Sequence, residues 1–183
     1  MKQTHVTLVP LAADDREQFI LDNQWAFKYG ALLEFGKQDD HIDGDGEIIS
    51  RKTIERCIDD PSNEAYRIIA NGKRVGGVIL KIDKVTHRNA LEILFTAPAE
   101  HGKGIGYGAW QAVEALHPET LVWETCTPYF EKRNIHFYVN KCGFMIDQFW
   151  CEHFQPTPPH PADDGYDPNE GPDEMFRFIK IMN

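Results

Sequence analysis

The chain contains 183 residues, of which 42% are hydrophobic and 26% are charged, and its formal net charge is −10. This length fits one domain with a core of its own, and the composition excludes a disordered chain or a collagen-like fibre. The excess of acidic residues argues against general nucleic-acid binding, which depends on lysine and arginine side chains that neutralise phosphates. We therefore expect a single domain over residues 1–183 that does not bind nucleic acid.

The N-terminus and the cysteines indicate where the protein resides. The first residues, MKQTHVTLVPLAADDREQ, lack the basic stretch, apolar run and small-residue cleavage site of a signal peptide. No apolar run approaches the roughly 18 residues that a membrane-spanning helix needs. The four cysteines are scattered without a CxxC pair, as is typical of reduced residues in an intracellular protein. These features predict a cytoplasmic protein without a membrane segment.

The first half of the chain reads as a strand, two helices and a hairpin meander. An apolar run predicts a strand over residues 6–10, and helical spacing predicts a long helix that begins at Asp14 or Asp15 and extends to Gly36. A polar break separates it from a second, shorter helix over residues 49–58. Three apolar runs joined by turns then predict consecutive antiparallel strands: 66–70, 75–82 and 91–96.

The second half alternates helices and strands. Periodicity predicts these elements in turn: a helix over 104–116, a strand over 121–125, a helix over 133–141 and strands over 145–154 and 175–182. The last two strands are joined by a long proline-rich, acidic loop at about 152–174 that contains no lysine or arginine. The whole order predicts a mixed α/β fold with a mostly antiparallel central sheet of about seven strands, flanked by about four helices.

A glycine-rich turn between the third meander strand and the next helix is the most informative segment. Gly102, Gly104 and Gly106 leave backbone N–H groups unobstructed, and the following helix N-terminus adds unpaired donors and partial positive charge. Together these groups form a nest for a phosphate or pyrophosphate, beside which Lys103 adds a cation. No Lys-Ser or Lys-Thr pair follows the glycines, which excludes a Walker loop.

A dinucleotide-binding fingerprint is an alternative interpretation of the same turn. Gly104-x-Gly106-x-x-Ala109 fits G-x-G-x-x-A, and Glu124 lies where a ribose-binding acid is expected. However, seven residues separate Thr96 from Gly104, and the preceding strands form a meander instead of a βαβ unit. An NAD-binding domain therefore stays as a minor alternative.

Two motifs resemble the GCN5-related N-acetyltransferase (GNAT) family. The run His101-Gly-Lys-Gly-Ile-Gly106 is similar to the family's [QR]-x-x-G-x-[GA] pattern at both glycines, with histidine at the first position. The segment YFEKRNIHFYVNKCGF over residues 129–144 resembles the family's late helix, which carries an asparagine, a tyrosine and then Gly-Phe. Here Glu131 occupies the usual asparagine position, and the spacing from Tyr138 to Gly-Phe is one residue longer than in the family.

The resemblance implies a GNAT-like fold and a cytosolic enzyme that moves an acetyl group from acetyl-CoA to a primary amine of a small molecule or peptide. It implies that the glycine turn holds the CoA pyrophosphate, that the strand before it pairs with the pantetheine arm, and that the strand over 121–125 splays away to make room. Tyr138 would be the general acid for the departing thiolate. The implied cofactor residues are Leu94, Phe95, Thr96, His101, Gly102, Lys103, Gly104, Ile105, Gly106, Asn134 and Phe137. The family forms monomers and dimers, so a homodimer is one expected assembly.

The reaction also needs a base, because an amine with a pKa near 10.4 is mostly protonated at neutral pH. Glu92 and Glu124 are the candidates, since each is a lone acid inside an apolar strand. Alternation places Glu92 with Leu94 and Thr96, and Glu124 with residues 122 and 126. For both acids a solvated strand position is the alternative. His136 and His153 have no partner at metal-ligand spacing, and we expect no metal.

Two further hypotheses concern function. The glutamate at position 131 and the longer tyrosine spacing motivate a non-catalytic CoA- or nucleotide-binding sensor on the same scaffold.

The acidic residues are concentrated in two segments. Residues 39–47 contain five acids and residues 152–174 contain seven, with no lysine or arginine in either segment. These segments would attract a cationic acceptor such as a polyamine, an aminoglycoside or a protein N-terminus.

Overall fold

One mixed sheet of seven strands runs through the part of the chain that the computed structural model describes, residues 5–35, 47–155 and 174–182. The strands are β1 (Val6–Pro10), β2 (Asn63–Ala70), β3 (Lys73–Lys81), β4 (Arg88–Thr96), β5 (Val122–Pro128), β6 (Met145–Trp150) and β7 (Met175–Ile181). The helices are α1 (Arg16–Phe35), α2 (Arg51–Asp59), α3 (Ile105–Leu116) and α4 (Lys132–His136). The predicted order of elements is confirmed. Most of the loop predicted at 152–174, and most of the acidic segment 39–47, lie outside the described residues.

The sheet has the strand order β1-β2-β3-β4-β5-β7-β6, and each neighbouring pair is antiparallel except β4 and β5. Asn71 and Gly72 join β2 to β3 with φ angles of 50° and 73°, as a tight hairpin requires. The glycine turn follows β4, which is the last strand of this antiparallel meander. β4, α3 and β5 form one parallel βαβ unit, but a doubly wound NAD-binding domain needs a mostly parallel sheet, and every other neighbouring pair in this sheet is antiparallel, so the sheet does not support this alternative.

Helices cover both faces of the sheet and divide the core into two layers. On one face, α1 and α2 bury Phe19 and Ile54 against Ile79 and Phe95 of the sheet. On the other face, α3 and the chain after α4 enclose an aromatic cluster: Trp110, Trp123, Tyr138, Phe144 and Phe178. None of the helices in the described residues is both long and apolar enough to cross a bilayer.

A buried ion-pair network joins the start of α1 to the sheet. Asp15 ends a single 3-10 turn before α1, and its carboxylate accepts bonds from Arg67 Nε of β2 at 2.8 Å and from Arg74 Nη1 at 2.8 Å. Asp22, two helical turns further on, accepts a bond from Arg67 Nη1 at 2.7 Å. Arg67 is 3% exposed and its guanidinium also lies over the Phe19 ring. Asp15, one of the two acids predicted at the start of the helix, therefore anchors α1 to β2.

The predicted helix over 133–141 contains two kinds of turn. α4 is α-helical to His136, and a π-helix continues it over Phe137–Cys142 before Gly143 ends it with a φ of 79°. A π-helix closes its hydrogen bonds over one more residue than an α-helix does. The longer spacing between Tyr138 and Gly-Phe is therefore taken up within the helix, and Phe144 still reaches the core.

Two adjacent glycines in β3 allow β4 to lie close to it. A Cβ on Gly76 would lie 2.1 Å from the Phe95 carbonyl oxygen, and one on Gly77 would lie 2.3 Å from the Phe19 ring. We expect Gly76→Ala to lower the free energy of unfolding by about 1–3 kcal/mol, because the clash is with a backbone atom that has no space to move into. Urea unfolding measures this effect.

The matched control is Gly30→Ala in α1, where a Cβ would meet nothing within 4 Å. Because alanine favours a helix more than glycine does, this control should gain up to about 1 kcal/mol. A Gly76→Ala protein as stable as the wild type would contradict the close approach of β3 to β4.

Candidate active site

A cleft opens where β5 separates from β4. The two strands pair only from Arg88↔Val122 to Ala90↔Glu124, although both continue beyond that point. Thr125 follows the last pair, and its Oγ1 donates to the Leu91 carbonyl at 2.9 Å in a buried contact. Beyond this contact β5 pairs with β7 on its other side, and the rest of β4 has no strand partner facing β5 in the described residues. The splayed strand expected from the family resemblance is confirmed.

The free edge of β4 carries the three residues predicted for the pantetheine arm. Phe95 is buried against Phe19, with ring centroids 5.1 Å apart, so its side chain belongs to the core. Leu94 and Thr96 are half-buried. What these three residues offer a ligand is their backbone. Its N–H and C=O groups can form hydrogen bonds with an extended chain that lies along the strand edge.

The glycine turn follows β4 and leads into α3. Gly102 and Gly104 have φ angles of 76° and 77°, and a Cβ at either position would meet nothing within 4 Å. Glycine is required there for its left-handed conformation and not for space. Gly108 N–H is the first to bond back into the helix, to the Gly104 carbonyl at 2.9 Å. The amides of Ile105 and Gly106 therefore belong to the unpaired, electropositive first turn of α3.

Gly106 lies near Phe137. A Cβ on this residue would lie 3.4 Å from the Phe137 ring, an ordinary contact distance, so Gly106 of α3 lies beside the residue that follows α4. Phe137 therefore packs beneath the glycine turn. The two helices that carry the family motifs are in contact at this point.

His101 ties the turn to three other elements. Its Nε2 lies 3.3 Å from the Thr96 carbonyl, its Nδ1 lies 3.3 Å from Arg133 Nη2, and the Tyr29 ring meets it edge-on at 5.8 Å. A carbonyl only accepts and a guanidinium only donates, so the imidazole is neutral with its proton on Nε2. Burial, and then the charge of Arg133, lower the pKa of His101, which favours the same state. Lys103, in contrast, is paired with Glu100 at 3.2 Å.

Tyr138 reaches the base of the cleft from below the sheet. The residue is 8% exposed, and its ring packs against Phe144 and Phe178. Burial raises the pKa of its hydroxyl, and a hydrogen bond with Thr125 acts in the opposite direction. Because Thr125 stands where the strands part, the hydroxyl lies at the inner end of the cleft and keeps its proton at neutral pH.

Asn134 of α4 contacts β5, and Glu131, just before α4, lies near Tyr138. Asn134 Nδ2 donates to Thr127 Oγ1 at 3.2 Å, which holds α4 against the splayed part of the strand. Glu131 precedes α4, and its carboxylate is close enough to Tyr138 to contribute to the raised pKa of the hydroxyl. The asparagine predicted for the thioester end thus supports the cleft wall.

Glu92 occupies an irregular position in β4. Ile93 pairs with Ile79 and Leu91 pairs with Leu80, so Glu92 is the additional residue of a β-bulge. The simple alternation predicted for this strand is therefore wrong at its centre, because Leu91 and Leu94 lie over the same core layer.

The Glu92 side chain is exposed. Burial and the nearby Glu92 carboxylate raise the pKa of Cys126, on the opposite wall, to about 12. Glu92 therefore lies at the cleft.

Glu124 has two arginine partners. Its Oε1 accepts from Arg88 Nη2 at 2.5 Å, and its Oε2 pairs with Arg177 Nη2 at 2.9 Å. Arg177 also pairs with Asp147 at 2.9 Å. As predicted, Glu124 lies on the same face of β5 as Val122 and Cys126, which are likewise half-buried. Its charge is balanced by ion pairs across β4, β5 and β7.

Two contributors to the site have no clear signal in the sequence. Thr125 becomes informative only once the strands are known to part beside it. Arg133 is one of several cations near the motifs, and only the packing of α4 brings it to His101. Among the described residues, no group of three or more His, Cys, Asp or Glu side chains is placed to hold a metal.

Comparisons with known proteins agree with this geometry. A model of the acetyltransferase (GNAT) family matches residues 24–144. The chain is 40% identical over 171 residues to the uncharacterized protein YrkN of Bacillus subtilis (strain 168), an alignment that covers 92% of this chain and 89% of that protein.

Solved structures share the fold at low sequence identity. An acetyltransferase from Thermus thermophilus is 13% identical with a TM-score of 0.64, and each chain is fully covered. The spermidine N-acetyltransferase from Vibrio cholerae, solved in complex with CoA and spermine, is 15% identical with a TM-score of 0.64. That alignment covers 97% of this chain and 95% of the other.

Proposed function

The chain belongs to the acetyltransferase (GNAT) family, and on that premise we propose that it transfers the acetyl group of acetyl-CoA to a primary amine by direct attack in a ternary complex. The observation that carries the proposal is the cleft between β4 and β5, which ends at the glycine turn. An extended, amide-containing cofactor with a pyrophosphate matches both parts of this cleft.

In this proposal the backbone holds the cofactor. The unpaired amides of the glycine turn and of the first turn of α3 bind the pyrophosphate, because they converge on one point at a positive helix end. The edge of β4 bonds the pantetheine amides as a further strand would. The thioester then lies near Thr125 and Tyr138, at the inner end of the cleft.

Glu92 is the proposed general base. The acceptor enters as an ammonium ion, and Glu92 removes its proton so that the nitrogen lone pair can attack the thioester carbon. The bulge exposes this carboxylate at the cleft, close to Cys126 of β5. A carbon–nitrogen bond forms and the carbon–sulfur bond breaks. Of the two protons that the ammonium ion loses in all, the one taken by Glu92 is released to solvent, and the one lost from nitrogen after the attack finally resides on the CoA thiol.

Tyr138 is proposed to stabilise the departing thiolate. Because burial raises the pKa of its hydroxyl, Tyr138 suits donation of a hydrogen bond to sulfur better than complete loss of its proton. We expect Tyr138→Phe to lower kcat by about 10–100-fold, the value of one hydrogen bond to a charged group. Thiol release from acetyl-CoA measures this effect.

Tyr107→Phe is the matched control for that variant. Tyr107 is an exposed tyrosine on α3 whose hydroxyl meets Gln111, so its loss should leave kcat unchanged. Equal rates for Tyr138→Phe and the wild type would remove Tyr138 from the mechanism.

Two measurements test the proposed function itself. Calorimetric titration should detect acetyl-CoA binding, and absence of binding at millimolar ligand would refute the proposal. A panel of primary amines that includes polyamines, aminoglycosides and peptides should then contain at least one acceptor that releases CoA thiol.

A non-catalytic CoA sensor is the second candidate function. Glu131 at the family's asparagine position and the π-helix that contains Tyr138 favour it, since both alter the catalytic helix. CoA binding without turnover on any amine of the panel would support the sensor. Turnover that Tyr138→Phe reduces would exclude it.

A further inference from the structure

One face of α4 lies against the glycine turn. Phe137 packs beneath Gly106, and Arg133 lies one helical turn before Phe137, so both side chains project from the same face. Arg133 Nη2 lies 3.3 Å from His101 Nδ1. The helix thus brings a guanidinium to the residue that directly precedes Gly102.

The His101 imidazole acts as a fixed acceptor for this guanidinium. Its Nε2–H donates to the Thr96 carbonyl, and the Tyr29 ring of α1 meets it edge-on at 5.8 Å. With Nε2 oriented by the end of β4, the Nδ1 lone pair points to Arg133. The groups that face the imidazole from β4, α1 and α4 are therefore a carbonyl, a phenol ring and one cation.

The turn has few positive charges available for an anion. Lys103 is paired with Glu100 at 3.2 Å, which balances its charge. In the described part of the chain Arg133 contacts a neutral imidazole and no carboxylate. Arg133 is therefore the cation at this turn whose charge is not already compensated.

We propose that Arg133 binds the pyrophosphate of CoA and that His101 is the positioning residue that directs its guanidinium to the glycine turn. This inference rests on the proposed binding of CoA at the turn. The backbone amides supply directed hydrogen bonds, and the planar guanidinium supplies the net charge and a two-pronged donor that matches phosphate oxygens. Histidine suits position 101 because it accepts a bond from Arg133 while it remains uncharged.

Arg133→Gln tests the first half of this proposal in the full chain. Calorimetry should show about 10-fold or greater weakening of binding to CoA, because a hydrogen bond between charged groups is lost. The loss should be equal for 3′-dephospho-CoA, which retains the pyrophosphate. Lys132→Gln is the matched control: it removes the same charge from the adjacent exposed position of α4 and should change either affinity less than twofold.

His101→Leu tests the second half through a double-mutant cycle. Its cost in CoA affinity should be several-fold in the wild-type background and should vanish in the Arg133→Gln background, because it acts through Arg133. His101→Gln retains an acceptor and should recover part of the affinity. Thermal melting without ligand verifies that each variant is folded.

Several outcomes would overturn this assignment. The first is that the losses of CoA affinity caused by His101→Leu and Arg133→Gln add in the double mutant. The second is that Arg133→Gln weakens the binding of CoA but not that of 3′-dephospho-CoA. The third is that Arg133→Gln and Lys132→Gln bind CoA with equal affinity. A wild-type protein that binds neither ligand would instead refute the proposed function. The two failures are therefore distinguishable.

Discussion

Replacement of Glu92 by glutamine is expected to lower kcat for acetyl transfer by about 10²–10⁴-fold, the usual contribution of a general base. Glutamine keeps the shape of the side chain and its capacity for hydrogen bonds but cannot accept a proton from an ammonium ion. Because the residue is exposed on a bulge, folding should be unaffected. Steady-state thiol release with the best acceptor of the amine panel measures the change.

The pH dependence gives a sharper test of the same role. Below its pKa of about 10.4, an amine yields tenfold more neutral nucleophile for each unit by which the pH rises. The Glu92→Gln rate should therefore continue to rise with pH up to about 10, whereas the wild-type rate should depend less steeply on pH, because Glu92 removes the ammonium proton. Parallel profiles for the two proteins would contradict a base at position 92.

Glu124→Gln is the matched control for Glu92. It removes a carboxylate from the neighbouring strand and breaks the ion pairs of Glu124 with Arg88 and Arg177. We expect a change in stability and little change in kcat. A larger loss of kcat from Glu124→Gln than from Glu92→Gln would reverse the proposed roles of the two acids.

Arg67→Met is expected to lower the free energy of unfolding by about 3–5 kcal/mol, the usual cost of breaking a buried ion pair from one side. The substitution leaves Asp15, which is 6% exposed, with Arg74 as its remaining cation in the described residues. It also removes the guanidinium that lies over Phe19. Urea unfolding at neutral pH measures the effect.

Acid should reduce the difference between Arg67→Met and the wild type. Arg67 holds the pKa of Asp15 below its ordinary value, so this pair stabilises the native state above the unfolded pKa of about 4 and its contribution is lost as the pH falls. Arg16→Gln is the control, because Arg16 and Asp59 form an exposed pair that should contribute less than about 1 kcal/mol. Equal losses for the two variants at neutral pH would contradict a buried network.

Local features of the sequence predict the framework of the site. The hydrophobic periods identify the strands and helices, and glycines at 102 and 104 mark a turn because their positive φ angles suit no other residue as well. The longer spacing from Tyr138 to Gly143 is likewise visible in the sequence, and the π-helix is its structural counterpart. These signals depend only on residues that are close together along the chain, so they can be recognised in a single sequence.

The roles of individual side chains depend on register. Simple alternation treats Glu92 and Glu124 as equivalent acids in two strands. The bulge in β4 makes their environments different, because it exposes Glu92 at the cleft. The partners of Glu124 come from β4 and β7, which the sequence does not identify as neighbours of β5. A bulge has no strong local signature, because it arises from the pairing of two strands.

The sequence by itself determined the order of the elements, the mixed α/β fold and the position of the glycine turn, because period, turn residues and glycine conformation are local properties. Only the tertiary structure decided which partners the charged residues have. Asp15 meets Arg67 across 52 residues, and His101 meets Arg133 across 32. Such contacts form when helices pack on a sheet with a definite register, so they become visible only in the folded chain.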